Sequence, residues 1–526
     1  MLKSYIALMI RNLRKQFGYT LINISGLAIG MSCCVLIFLY VQDELRFDAH
    51  GNVSSQVFRV ANGAMASGPS SLGPVLKSEY PEVLEYARVK PPFGVWLMRF
   101  GDQVFYEKRV YWADASVFEM FSWSLVKGDP GTALSKPNTV VISQEMVAKY
   151  FPGQDPMGRI LSADDDFLHL EVTGVMDDIP ANSHFIADIL FSTATMPSLY
   201  GTGVLDDWSR TDFYTYILLS TGTSADELQL KFPALVSGYQ REGSESLALN
   251  PSLQAIGDIH LHSDLDNELG TNSDVSYVYI LSSIGFFMLL LACINFMNLA
   301  TARSAMRARE VGLRKVLGAH RGELIKQFMG ETVLMSVVSL IVSLILVSLI
   351  MPTFNIFAAK NLSLGLDNVA LYLSLVGIVL FVGVVAGIYP AFVLSSFQPG
   401  AVLKDSMKIG GAGAMLRKSL VVFQFVIATA FIVGTSVVYD QLSYIQAKRL
   451  GFDKEHVITV PAAISPILQR LDLFAKGLEA DSRIIGVTSS SSLPGRSGGT
   501  GILQRVPVRP EGHAAEKPIQ ISGLWA

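Results

Sequence analysis

The sequence predicts a multi-span α-helical membrane protein with a large α+β extracytoplasmic domain between its first and second spans. Three observations predict it. Charged residues are 16 % of the chain, against about 25 % in ordinary globular proteins, and mean hydropathy is +0.39. The charge deficit is concentrated in five apolar runs. Between the first two runs lies one long stretch of ordinary, mixed composition.

The five runs are Thr20–Val41, Tyr277–Ala302, Thr332–Met351, Val369–Leu394 and Ser419–Tyr439. Each has about 20 residues or more, enough to cross a hydrocarbon core of about 30 Å. The first is too long for the apolar part of a signal peptide, and no small-x-small cleavage site follows it, so it reads as an anchor.

Lys and Arg set the orientation. Lys3, Arg11, Arg14 and Lys15 precede the first span with no acid among them. The loop 303–331 is strongly basic, and so is Lys404–Lys418; the loop 352–368 carries only Lys360 and Asp367. The positive-inside rule then puts residues 1–19, 303–331 and 395–418 in the cytoplasm, and 42–276, 352–368 and 440–526 outside.

The outer segment mixes helix and strand signals. Thr139–Ser143, Leu170–Val175 and Phe213–Leu219 read as strands. Ser143 suits the N-cap of a short helix, Gln144–Phe151, and Ser224 that of a helix through Leu230. His260 and His262 alternate as on a strand, which predicts exposed polar residues near a strand end. Asp164-Asp165-Asp166 lacks the spaced oxygen ligands of a calcium loop and predicts a solvated turn.

An internal repeat is visible. Leu13-Arg14-Lys15 precedes the first span, and Phe47-Asp48 with His50 follows it. Leu416-Arg417-Lys418 precedes the fifth, and Phe452-Asp453 with His456 follows it. The fifth span therefore reads as the start of a second module, of which 440–526 would be a partial outer domain. The expectation is a tandem chain cut short, with poor packing in Asp440–Ala526, where Ser489–Gly501 is rich in serine and glycine.

Catalytic chemistry has little support. No G-x-x-x-x-G-K-[ST] loop or H-E-x-x-H motif occurs, so the chain should not hydrolyse ATP itself. The three cysteines, Cys33, Cys34 and Cys293, lie inside apolar runs and offer neither a disulfide framework nor a thiolate zinc site. No Asp, Glu, Lys, Arg or His falls inside the five runs, whereas ion-coupled transporters carry such groups at membrane depth. Asn295 and Asn298, three apart on one helical face, suit packing against a neighbouring helix better than a substrate site.

The loop after the second span carries the functional signal. Arg303, Arg307, Glu310 and Arg314 recur at helical spacing and share one face. Gly312, Gly318 and Ala319 allow close backbone approach, and Gly318 suits a helix C-cap. Glu310-x-Gly312-x-x-Lys315-x-x-Gly318-Ala319, followed by Gln327-Phe328 and Glu331, resembles the cytoplasmic coupling segment of the MacB/FtsX family of ABC-transporter permeases. Gly387-Ile388-Tyr389-Pro390-Ala391, Phe397-Gln398-Pro399 and Ala401–Lys404 are similar to the end of that family's last core helix. Asp114–Phe121, Gly128-Asp129-Pro130, Pro137–Ser143 and Val172–Val175 resemble its extracytoplasmic domain. The order and spacing of these motifs cover roughly residues 1–410.

The resemblance implies a periplasmic core domain over 42–276 and a permease domain over 277–404. It implies a separate cytosolic ABC ATPase, contacted through Arg307, Glu310, Gly312, Arg314, Lys315, Gly318 and Ala319. No cofactor is expected in this chain, since ATP would sit on the partner subunit, and neither a metal nor a nucleic acid is expected. A second permease module or a second copy, the lipid bilayer, and a periplasmic or outer-membrane component complete the implied partners. The implied setting is the bacterial inner membrane, and the implied output is export or mechanotransmission of the antimicrobial peptide, drug or lipoprotein type. The rival class is a membrane-anchored receptor with an outer sensing domain. It would need a cytoplasmic output domain, and the loops leave no room for one.

Overall fold

The computed structural model describes residues 17–49, 54–91, 94–164, 166–239, 249–302, 311–365, 368–396, 411–448, 457–460, 470–488, 505–508 and 519–522. The chain divides into two compact units: 1–45 with 276–457, and 46–275 with 458–526.

In chain order the helices are α1 (Phe17–Leu45), α2 (Leu72–Glu79), α3 (Val117–Phe121), α4 (Gln144–Tyr150), α5 (Met196–Tyr200), α6 (Ala225–Gln229), α7 (Phe232–Tyr239), α8 (Ile256–His262), α9 (Val275–Ala302), α10 (Arg321–Ala358), α11 (Val369–Ser396), α12 (Gly411–Ala447) and α13 (Leu471–Glu479). Five of these, α1 and α9 to α12, are long and apolar enough to cross a membrane.

The first unit is built from these long helices, and small residues bring them together. Lipid tails are as apolar as the side chains, so close packing has to do what water exclusion does elsewhere. Gly26 and Gly30 of α1, four apart, face α9. A Cβ on Gly30 would stand 2.6 Å from that of Ala292, and one on Gly26 would stand 3.3 Å from the Asn295 amide nitrogen. Asn295 therefore packs against a helix, as expected. On α11, Gly383 and Gly387 admit Val333, Met329 and Thr332 of α10 in the same way. Ser336, Ser339 and Ser343 of α10 are fully buried, and Ser343 meets Ser32 of α1 with 3.2 Å between hydroxyl oxygens.

The segment after α10 holds the end of α1. Lys360 bridges Asp43 at 2.8 Å and Glu44 at 2.7 Å, and Gln42 and Asn368 exchange amide hydrogen bonds. Burial works against the Lys360 ammonium, but its bonds to the two carboxylates prevail and raise its pKa. Two acids at a helix C-terminus are unfavourable against its dipole, and Lys360 offsets them.

The helix α10 departs from the expected span 332–351: its first three turns take up the last part of the expected loop 303–331. Glu331, which composition placed just outside the apolar run, is thus inside a helix and buried. The helix α12 is nearly bare laterally, with Ile427 its one buried residue among those described.

The second unit is a mixed sheet flanked by short helices. Its strands are β1 (Val57–Asn62), β2 (Val83–Lys90), β3 (Trp96–Phe100), β4 (Gln103–Glu107), β5 (Val110–Ala113), β6 (Leu125–Lys127), β7 (Thr139–Ser143), β8 (Ile160–Ala163), β9 (Leu168–Met176), β10 (Ile189–Ser192), β11 (Tyr214–Leu219) and β12 (Pro251–Ala255). The order is β12-β1-β11-β2-β5-β10-β7-β9-β8-β3-β4, with β6 on β9. The pairs β5–β10 and β7–β9 are parallel.

Successive strand residues point to opposite faces, and both faces are covered. From β11, Tyr214, Tyr216 and Leu218 enter one core with Phe121 and Phe185, while Ile217 and Leu219 enter another with Leu72, Leu76 and Phe232. From β7, Val140 and Ile142 enter a third core with Trp112 and Phe191. Ser143 caps α4 by accepting from Met146 N, and Ser224 caps α6 by accepting from Glu227 N.

One expectation fails here. His260 and His262 lie on the helix α8, not on a strand. The strand β12 ends at Ala255, and Ile256, Ile259 and His260 then recur at helical spacing and are buried, while His262 faces out. Asp164 and Asp166 sit in the β8–β9 turn with positive φ. Downstream, α13 buries none of its residues, and β13 (Arg505–Val508) pairs antiparallel with β14 (Ile519–Ser522). His50, Phe452-Asp453, His456 and Ser489–Gly501 lie outside the described residues.

Candidate coupling site

Residues 311–316 form a short helix in the loop between α9 and α10. Val311 on it packs with Leu324 and Phe328 of α10 and Ala391 of α11, and Ile325 and Met329 flank them. The helix ends in a Schellman motif: Ala319 N donates to Arg314 O at 3.0 Å, and Gly318 N to Lys315 O at 3.1 Å. This needs a left-handed residue just past the helix, and Gly318 supplies it with φ +98°. The C-cap expected of Gly318 is therefore present.

The next helix starts at once. Glu323 of α10 reaches back to accept from His320 N at 3.2 Å, as in a capping box. Arg314 closes the hairpin by donating from Nη1 to Gln327 Oε1 at 2.8 Å. Two caps and one cross-link thus hold 311–316 on the base of α10.

The predicted residues separate on this scaffold. Arg314 and Lys315 are half-buried, Gly318 is exposed and Ala319 half-buried. Gly312 is buried. Arg307 and Glu310, with Arg303 on the same expected face, lie outside the described residues.

The sequence reading missed the outward face. Leu313, Val316 and Leu317 are 64 %, 62 % and 79 % exposed. Their spacing of three and four puts them on one side of the helix, opposite Val311. Charge drew attention to the loop, while the same helical spacing, applied to its apolar residues, would have found this trio. Three exposed aliphatic side chains thus stand on one side of a capped helix.

Among the described residues no group of three or more His, Cys, Asp or Glu side chains could hold a metal ion, and Cys33, Cys34 and Cys293 are free thiols within the long helices.

A model of the MacB-like periplasmic core domain matches residues 20–235, and one of the FtsX-like permease C-terminal domain matches 282–399. An uncharacterized ABC transporter permease, YknZ, of Bacillus subtilis is 25 % identical over 199 residues, 38 % of this chain and 45 % of that protein. The macrolide export ATP-binding/permease protein MacB of Campylobacter jejuni is 28 % identical over 145 residues, 27 % of this chain and 22 % of that one. The chain thus spans less than half the length of these relatives. Among solved structures, a permease domain from Porphyromonas gingivalis matches at 22 % identity and TM-score 0.35, covering 39 % of this chain and 93 % of that one. The periplasmic region of MacB from Actinobacillus actinomycetemcomitans matches at 12 % and 0.30, covering 39 % and 92 %. One model lies over the first span and the outer domain, the other over later spans and the loop with the capped helix, and the chain belongs to the MacB/FtsX family of permeases.

Proposed function

We propose that this chain is the permease subunit of an ABC transporter, and that it couples ATP hydrolysis on a separate cytosolic ATPase to movement of its outer domain. The observation that carries the reading is the capped helix 311–316, which turns Leu313, Val316 and Leu317 outward from the loop that joins two spans. An ATPase that grips this knob moves α10 directly, because the hairpin bonds leave little slack between them. The absence of Asp, Glu, Lys, Arg and His from the five apolar runs supports an output at the outer domain in place of a charged path through the membrane. Macrolide export, named for the MacB relatives, is one such output, and a second module or a second copy would complete the two ATPase contacts.

The test is co-purification with a cytosolic ABC ATPase subunit from the same organism. A Leu313→Glu/Leu317→Glu variant should lose complex recovery and ATPase stimulation by about 30-fold or more, as for an interface hot spot of 2 kcal/mol. Both side chains are exposed, so insertion and folding should be unaffected. Wild-type recovery with the double variant would refute docking at this helix. A Gly312→Leu variant should instead damage the packing around Val311.

A further inference from the structure

The structure shows how the chain enters and leaves the outer domain. The first residues of that unit, Arg46, Phe47 and Asp48, are fixed within it. The Phe47 ring stacks on His260 with centroids 3.5 Å apart and planes 6° apart. Asp48 Oδ1 accepts from His184 N and from His184 Nδ1, both at 2.9 Å. Tyr216 Oη lies 2.6 Å from His184 Nε2. Burial raises the Tyr216 pKa well above its usual value, so the hydroxyl keeps its proton, and the Asp48 carboxylate, an acceptor only, is met by hydrogen on Nδ1. Asn182 completes the grip, accepting from Asp48 N at 2.9 Å and donating to Arg46 O at 3.2 Å.

The outgoing segment packs on the same two histidines. Ser273 N donates to His260 O at 2.8 Å. Gly270 lies so close to His184 that a Cβ there would stand 2.2 Å from its carbonyl oxygen. The residues next to α1 and those leading to α9 thus share His184 and His260, which sit on a core of Phe121, Phe185, Tyr216 and Ile256.

We propose that Phe47 and Asp48, seated on His260 and His184, form a latch through which displacement of the first two spans enters the outer domain. The inference rests on the coupling reading above. It accounts for a motif which that reading left unused. Phe47-Asp48 recurs as Phe452-Asp453 after the fifth span, so the residues that repeat are those that plug into the outer core. The latch makes the incoming and outgoing segments move together, and a pull on either one reaches β11 through Tyr216.

The experiment uses the full chain, with its three native cysteines replaced, in lipid nanodiscs with its ATPase. Spin labels at Gly101→Cys in the outer domain and Leu349→Cys on α10 report a distance with and without ATP. Wild type should show an ATP-dependent change. Phe47→Ala and Asp48→Ala should reduce the population that responds by about fivefold or more, the lower range of allosteric coupling factors, while ATPase stimulation stays at the wild-type level. Tyr216→Phe, which keeps the ring, should fall between them. To separate coupling from loss of fold, Phe47→Cys/His260→Cys bridged by a short bis-maleimide should regain the response, measured without the reporter thiols by protease protection of the outer domain. Wild-type response in both alanine variants, or no recovery on bridging, would overturn the latch. An unresponsive wild type would overturn the coupling reading and the latch with it.

Discussion

Arg59 has no exposed side-chain surface, and its position explains much of the outer domain's polar interior. It ion-pairs with Glu268, and its Nη2 reaches Glu268 Oε1 at 2.8 Å and Ser263 Oγ at 3.0 Å. A buried guanidinium needs partners for its donors; here the two terminal nitrogens find them in Gln254 of β12 and in the segment after α8, while Nε has none among the described residues. Burial works against the Glu268 carboxylate, but the bond and charge of Arg59 prevail and lower its pKa. Its contribution to stability is therefore complete above its unfolded value, about 4.3, and is lost as pH falls through the lower native value. Replacing Arg59 by Met removes its bond and charge and leaves burial opposed only by the bonds from Ser263 and Asn272, so the depression weakens. Arg59→Met should cost about 3–5 kcal/mol near neutrality, and the deficit should shrink as pH falls from 6 towards 3. Urea midpoints at several pH values would measure it, and a deficit independent of pH would show that Glu268 does not respond to Arg59.

At this scale the sequence is least legible. Nothing near Arg59 in the chain names Glu268 as its partner, because the pairing is made by β1 lying beside β12. His260 was misread for a related reason. A pair of histidines two apart fits a strand, and only the apolar spacing of Ile256, Ile259 and His260 shows the helix. Lys360 entered the argument as evidence of a loop poor in positive charge, whereas the structure uses it to hold the end of α1.

Elements were easier to read than residues, because a period of 2 or 3.6 survives without tertiary knowledge. The strand Thr139–Ser143 and the caps at Ser143, Ser224 and Gly318 are where local spacing put them. The start of α10 was not. Charged residues in its first turns looked like loop, yet a helix that continues beyond the membrane surface can carry them freely. Helix faces show the same division. The run of apolar residues in α1 gives its length but not its partner; Gly26 and Gly30 give the face. A Gly30→Leu substitution should separate α1 from α9, because even a Cβ would overlap Ala292. Gly18 has open space around it, so Gly18→Leu should be tolerated. Thermal aggregation in detergent should begin earlier for Gly30→Leu than for wild type, and Gly18→Leu should follow wild type. Equal behaviour of the two variants would mean that the close approach contributes nothing to stability.

At the scale of the whole molecule, function depends on which side of the membrane each part occupies. The coupling site requires residues 311–319 to meet the cytosol, and the latch requires 46–48 to lie beyond the opposite surface. If α9 crosses the membrane, as its length and composition allow, the two segments lie on opposite sides of it. Which side is which rests on Lys and Arg. Lys3, Arg11, Arg14 and Lys15 lie before α1, and Arg314, Lys315, Arg321 and Lys326 lie around the hairpin, whereas the α10–α11 connection has Lys360 committed to Asp43 and Glu44. The insertion rule assigns the side that these positives flank to the cytoplasm. In intact cells, on a background without the three native cysteines, an impermeant maleimide should label Gly101→Cys, which is exposed in the β3–β4 turn, and should miss Leu317→Cys until the membrane is opened. Leu317 is 79 % exposed, so silence at this position reports sidedness and not burial. Labelling of Leu317→Cys in sealed cells with Gly101→Cys silent would invert the molecule, place the apolar knob outside, and remove the cytosolic ATPase from the account.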